Sequence, residues 1–286
     1  MEVIFVTKRT TLLSVSLAVI FIIGLIFTGC STGDSSKIKV VTSTSLLAYI
    51  TQQVGGDRIE VINLIPPAQH PGDFNVKPSD IETLANAQLF LLHGWPGEGY
   101  AEKFIASANN PKLTVIKATT DGNWMIPSVQ SAATDKVAAA LSQVDVNNAA
   151  AYQKAANEYK QRITAKEADI KAKLAKAAIS QISVLSSGMQ ADFLKWVGLT
   201  VVATYGAPVT LTPQVVKELI DKGKAAKVSL LIDNLQNGKD AGKAMAEEIG
   251  AKQLNLSNFP GGFDNTETWE KAIDRNIELL LQAIAK

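Results

Sequence analysis

Residues 145 to 178, DVNNAAAYQKAANEYKQRITAKEADIKAKLAKAA, run for more than thirty positions without a glycine or a proline. Ala, Lys, Glu and Gln dominate the run, and all four favour helix. Roughly 30 residues at 1.5 Å each make a rod of about 45 Å, longer than a lobe of about 100 residues needs for itself. The apolar positions Tyr152, Ala156, Tyr159, Ile163, Ile170 and Leu174 form a partial stripe with no sustained heptad, which argues against a coiled coil. A rod in the middle of the chain is read as a stiff spine joining two lobes.

The sequence on either side repeats one pattern. Before the spine, IKVVTS (38–43) reads as a strand and TSLLAYITQQVGG as a helix stopped at Gly55 and Gly56. DRIEVINLI (57–65), QLFLLH (88–93) and LTVIKA (113–118) read as further strands. KPSDIETLANA supplies a helix, with Ser79 as N-cap and Glu82 three residues on. After the spine come QISVLSS, MQADFLKWVG, LTVVATYGA, VSLLIDN, AGKAMAEEIG and KQLNLS, closed by the amphipathic TETWEKAIDRNIELLLQAIAK. Strand, helix and strand with short connections imply parallel pairing. The expected class is α/β, with two lobes of mainly parallel sheets, at 38–144 and 179–286, joined by one linking helix over 145–178. Ligands of parallel α/β sheets sit beyond the carboxyl ends of the strands, which places a cleft between the lobes.

The first thirty residues differ from the rest. Lys8 and Arg9 precede an apolar run, TLLSVSLAVIFIIGLIF, which ends in Thr28, Gly29 and Cys30. These are the parts of an export signal, and a cysteine directly after two small residues is the acceptor of a lipoprotein signal. Residues 1–30 are read as that signal, with lipid on Cys30, and 31–37 (STGDSSK) as a flexible tether. An uncleaved membrane anchor is the alternative, and both place the lobes outside the cytoplasm at a membrane. Cys30 is the single cysteine, so the lobes hold no disulfide and no thiolate metal site. A net charge of +1 lacks the basic excess of a nucleic-acid binder.

With these parts in hand, the chain resembles the solute-binding lipoproteins of zinc and manganese ABC importers, the helical-backbone periplasmic binding proteins of cluster A-I. The resemblance spans about 38 to 286. It is carried by IKVVTSTSLLAYITQQVGGDRIEVINLIPP, KPSDIETLANAQLFLLHG, VDVNNAAAYQKAANEY, LTPQVVKELID, EEIGAKQL and FPGG. It implies export, a two-lobe fold, a membrane permease as partner, and a metal held by three histidines and a carboxylate from four loops. This chain departs from the pattern at all four positions. The first-loop histidine falls on Gly72, two residues after His70. The second falls on Gly122, ahead of Asn123 and Trp124. The third falls on Ser187, and the loop-four carboxylate falls on Ser257. Glycine and serine cannot hold a zinc-like ion tightly.

Two readings of the cleft remain. In one, His70, His93, Asp73 and Asp233 form a shifted metal site, since imidazole with carboxylate suits zinc, nickel or iron. In the other, slightly favoured, a metal chelate or organic solute meets Trp95, Trp124, Tyr205, Gln190 and Asn234, with Gly72, Gly122, Ser187 and Ser257 leaving room for it. Trp196 and Trp269 sit at apolar helical positions and are assigned to the core. No resident cofactor is expected; a divalent transition metal is a candidate cargo. No nucleophile elbow or phosphate loop is present, so no enzyme is expected. The expectation is a monomeric, lipid-anchored, extracytoplasmic solute-binding protein whose lobes rearrange modestly on loading. The alternative is a non-transporting adhesin or scaffold of the same fold with no bound metal.

Overall fold

The computed structural model describes residues 37–177, 179–238 and 240–285. The export signal with Cys30, and the tether apart from Lys37, lie outside them. Two four-stranded parallel sheets carry the same strand order. In the first, β1 (Ile38–Thr42), β2 (Ile59–Asn63), β3 (Leu89–Leu92) and β4 (Thr114–Lys117) lie in the order β2-β1-β3-β4. In the second, β5 (Ser183–Ser187), β6 (Thr200–Tyr205), β7 (Leu230–Asn234) and β8 (Lys252–Leu256) lie in the order β6-β5-β7-β8. The described helices, in chain order, are α1 (Ser45–Gly55), α2 (Pro78–Ala85), α3 (Ala101–Ala108), α4 (Pro127–Val144), α5 (Ala149–Leu174), α6 (Ala191–Val197), α7 (Pro213–Ala225), α8 (Lys243–Ile249) and α9 (Trp269–Ile284). No helix among the described residues is long and apolar enough to cross a membrane.

Local chemistry sets where the elements begin. Thr44 caps α1 by accepting the Leu47 amide, and Gly56, at φ 57°, ends it. The α2 cap differs from the Ser79 and Glu82 reading. Pro78 opens the helix, because its fixed φ suits a first turn and its missing N–H costs nothing there. The start therefore moves back to Lys77, whose amide donates to Asp80 Oδ2 at 2.8 Å.

The spine α5 is 26 residues long, about 39 Å. It starts four residues later than expected because Asp145 Oδ2 accepts bonds from Asn148 Nδ2 and the Tyr152 hydroxyl, holding residues 146–148 in a tight turn. That turn reverses the chain from α4, a helix the sequence reading did not foresee. α4 and α5, joined by that turn, are tied to each other by bonds from Gln130 to Tyr159 and from Lys160 to Asp135.

Tyr152, Ala156, Tyr159, Ile163 and Ile170 are all buried along α5. Each large side chain among them contributes about 1.5–3 kcal/mol of apolar burial. The spine's first half meets α1, where Tyr49 packs edge-on to Tyr159. Its second half reaches α9 through Lys166 to Asp274 at 2.7 Å. One apolar core consequently runs unbroken from Val40 and Leu47, through the spine, to Phe193, Ile232 and Trp269.

Candidate functional site

The carboxyl ends of both sheets open onto one cleft with a cavity of about 530 Å³. The first lobe supplies an aromatic wall. His93, which ends β3, is fully buried, and burial holds its pKa well below the usual imidazole value, so it is neutral at pH 7. Its Nε2 bonds Thr44 Oγ1 at 2.7 Å. Trp95 lies flat on the His93 ring, 3.6 Å between centroids and 10° between planes, and Trp124 meets that ring edge-on at 4.3 Å. Phe259 of the other lobe runs nearly parallel to Trp95 at 6.2 Å.

Glu98 fixes this wall, in a role the sequence reading missed. Its buried carboxylate accepts from Ser43 Oγ at 2.6 Å and from the amides of His93, Gly94 and Trp95 at 3.0, 2.7 and 3.2 Å. The signal was a Pro-Gly turn followed by an acid just after a strand, HGWPGEGY.

The second lobe supplies carboxamides. Gln190, fully buried, donates to Asn234 Oδ1 at 3.0 Å and Asn258 Oδ1 at 2.9 Å. Gln236 donates to Ser257 Oγ at 3.0 Å and across the lobes to the Pro67 carbonyl at 2.9 Å. Asn123, on the first lobe, donates to the Met189 carbonyl and to Asn258 Oδ1 at 2.8 and 2.9 Å. Trp269, in the core as assigned, donates its indole N–H to the Trp124 carbonyl at 3.2 Å. Beside the positions where the resemblance places metal ligands, a hydrogen-bonded seam thus joins the lobes.

Two of those positions resist a longer side chain unless a neighbour or the backbone moves. A Cβ on Gly72 would stand 2.9 Å from His70 Nδ1, because His70 folds back to accept the Gly72 amide at 3.0 Å. Gly122 has φ 93°, a backbone region that side-chain-bearing residues rarely adopt. Ser257 Oγ is enclosed by bonds to Gln236, Phe259 N and Phe259 O, and Ser187 caps the turn that leads into α6.

The structure does not bring the shifted metal site together. Among the described residues no three His, Cys, Asp or Glu side chains gather closely enough to hold a metal ion. Asp233 points away from the cleft, since neighbours along a strand face opposite ways. It accepts from Tyr205 Oη at 2.5 Å, Gly242 N at 3.1 Å and Gln253 Nε2 at 2.6 Å, and burial raises its pKa. Tyr205 is taken up by the same bond, so it lies inside the second lobe rather than on the cleft. His93 is enclosed by Thr44 and two indoles, and Asp73 is exposed. His70 lines the cavity, but its Nδ1 accepts the Gly72 amide hydrogen, so that lone pair is taken up within the loop and the ring hydrogen lies on Nε2.

Of the other predicted residues, Trp95, Gly122, Trp124 and Asn234 line the cavity, while Gln190, Ser187 and Ser257 are buried and Gly72 stands beside His70. Asn123, Gln236, Asn237 and Asn258 line it as well, and nothing in the sequence pattern singled them out.

Two parallel α/β lobes on a helical spine, facing each other across a cleft, define a two-lobed solute-binding protein. Residues 40–283 match the family model described as zinc-uptake complex component A periplasmic, and the chain belongs to that family. It is 23% identical to an iron ABC transporter substrate-binding lipoprotein, MtsA of Streptococcus pyogenes, over 98% of this chain and 99% of that one. It is 24% identical to PsaA of Streptococcus pneumoniae, a manganese ABC transporter substrate-binding lipoprotein, over 77% and 81%. The fold is similar to that of FpvC from Pseudomonas aeruginosa, solved with Ni2+, at a TM-score of 0.74 and 24% identity over 87% of this chain and 97% of that one. It is also similar to a Mn-bound periplasmic metal binding protein from Candidatus Liberibacter asiaticus, at 0.76 and 18% over 87% and 100%.

Proposed function

We propose that this protein is the extracytoplasmic capture component of a metal-type ABC importer. It is held at the membrane by lipid on Cys30, acts as a monomer, and hands its cargo to a permease without changing it chemically. The observation that carries this reading is the cavity walled by both lobes, in a chain that belongs to a solute-uptake family. The curated relatives named above are transporter lipoproteins, which supports the same role here; no observation favours an adhesin or scaffold. We take the cargo to be held by something other than a compact His and carboxylate cage, a reading supported by the lack of any cluster of three His, Cys, Asp or Glu side chains among the described residues.

Thermal-shift measurements on the full-length lipoprotein in detergent test this, against zinc, manganese, nickel and cobalt salts and a library of small solutes. A rise in melting temperature with at least one compound, abolished by blocking the cleft, is the expected result. A flat response to every salt and every solute would sink the capture role.

A further inference from the structure

The cleft walls say more about the cargo than that it is not caged by histidines, on the footing that the capture role is correct. A cavity of about 530 Å³ is in the range of organic-ligand pockets and far larger than a bare ion. Much of its wall is apolar, from Leu46, Pro71, Trp95, Pro96, Met189 and Phe259. Trp95 is held in one plane by the imidazole beneath it and runs nearly parallel to Phe259 at 6.2 Å, so the two rings offer a preset flat slot at little entropic cost.

The polar groups of the wall differ in whether they have capacity to spare. Asn123, Asn258 and Gln236 use their hydrogen bonds on one another and on backbone across the seam. Groups with a donor to spare include the Nε2–H of His70, placed there because Nδ1 accepts the Gly72 amide, and the side-chain nitrogen of Asn237, whose oxygen accepts from Asn234. The one carboxylate on the wall, Asp192, is exposed and 3.7 Å from Lys195.

We propose that the cleft takes a flat, largely apolar organic solute with an oxygen acceptor on its edge, free or as the organic shell of a chelated metal. Bare divalent cations are not its cargo. The ring enters between Trp95 and Phe259, which part slightly to admit it, and the acceptor meets His70 and Asn237.

The test titrates the full-length lipoprotein in detergent with four probes, read by calorimetry and tryptophan fluorescence. These are naphthalene-2-carboxylate, the zinc complex of quinoline-2-carboxylate, zinc sulfate and glucose. At least one aromatic probe is expected to bind, and which of the two does so separates a free solute from a chelate; zinc sulfate and glucose are expected to give no heat. His70→Asn keeps the bond to the Gly72 amide but draws the donor back from the Nε2 position, and should weaken aromatic binding about tenfold. His70→Gln keeps a donor near Nε2 and should restore it; rescue by Asn and not Gln would mean that His70 only shapes the loop, and would overturn its role. Trp95→Phe keeps a ring on His93 and should bind more weakly than the parent. Zinc sulfate or glucose binding that is indifferent to both residues overturns the solute class while leaving capture intact. Silence from both aromatic probes overturns the class, and the library then decides capture separately.

Discussion

The two lobes share a strand order yet finish their sheets in opposite chemistry. At the end of β3 the chain places His93, Trp95 and Glu98, and the result is a rigid aromatic wall buttressed by a buried carboxylate that four donors satisfy. At the end of β7 it places Asn234 and Gln236, which with Gln190 and Asn258 make a wall of carboxamides that bond mainly to each other. One topology therefore supports a surface that presents a face and a surface that closes a seam. The residue types at the strand ends, rather than the fold, decide what the cleft can hold.

Breaking the aromatic side should cost most. Glu98→Ala leaves three amides and a hydroxyl unpaired in a buried site, at about 1–3 kcal/mol for each uncompensated group. Partial relaxation should bring the total to about 3–5 kcal/mol. Urea unfolding measures it, and a loss below about 1 kcal/mol would show that water replaces the carboxylate freely. On the carboxamide side, Gln190→Glu turns a donor to Asn234, Asn258 and the Leu256 carbonyl into an acceptor facing acceptors. It should destabilise by more than the about 1–3 kcal/mol expected for Gln190→Ala.

One buried group in each lobe should also respond to acid, with opposite sign. His93 has a depressed folded pKa, so below about 6.5 the unfolded chain binds a proton that the folded chain refuses. Stability should then fall with pH by up to about 1.4 kcal/mol per unit, until the folded pKa is reached. Asp233 has a raised folded pKa, so its contribution is present at low pH and lost as pH rises through that value. Unfolding measured from pH 7 to 5 should be flatter for His93→Gln than for the parent. An unchanged slope would place the titration elsewhere.

The smallest expected effects sharpen the seam itself. Gly122→His forces a side chain into a left-handed backbone and should cost about 1–2 kcal/mol without creating a metal site. Tight zinc binding by that single variant would contradict the geometry. Asn123→Ala removes bonds between the lobes and should cost about 1 kcal/mol. Hydrogen exchange should quicken at residues 120–126 and 187–191 while the spine stays protected.

The fold was legible because β-branched runs, glycine stops and an unbroken helical composition are local signals. The α4 helix was missed because its alanine-rich face carries little apolar contrast. The loops that the sequence singled out meet at one cavity, and Trp95, Trp124 and Asn234 line it. The seam was not legible, because Asn123 finds its partners 66 and 135 residues away, and no short-range pattern records such a pairing. Asp233 and Tyr205 failed as cleft residues for a related reason. Both stand at strand ends, where a shift of one position turns a side chain from the cleft into the lobe.

His70 and Gly72 carry a consequence for how such a cleft can change over time. With no side chain at position 72, the His70 ring rests on the backbone there, and any Cβ would stand 2.9 Å from that ring. A histidine placed at 72 would have to turn the His70 ring aside before it could reach into the cleft. A His and carboxylate cage built here would therefore take changes in several loops together, not one substitution.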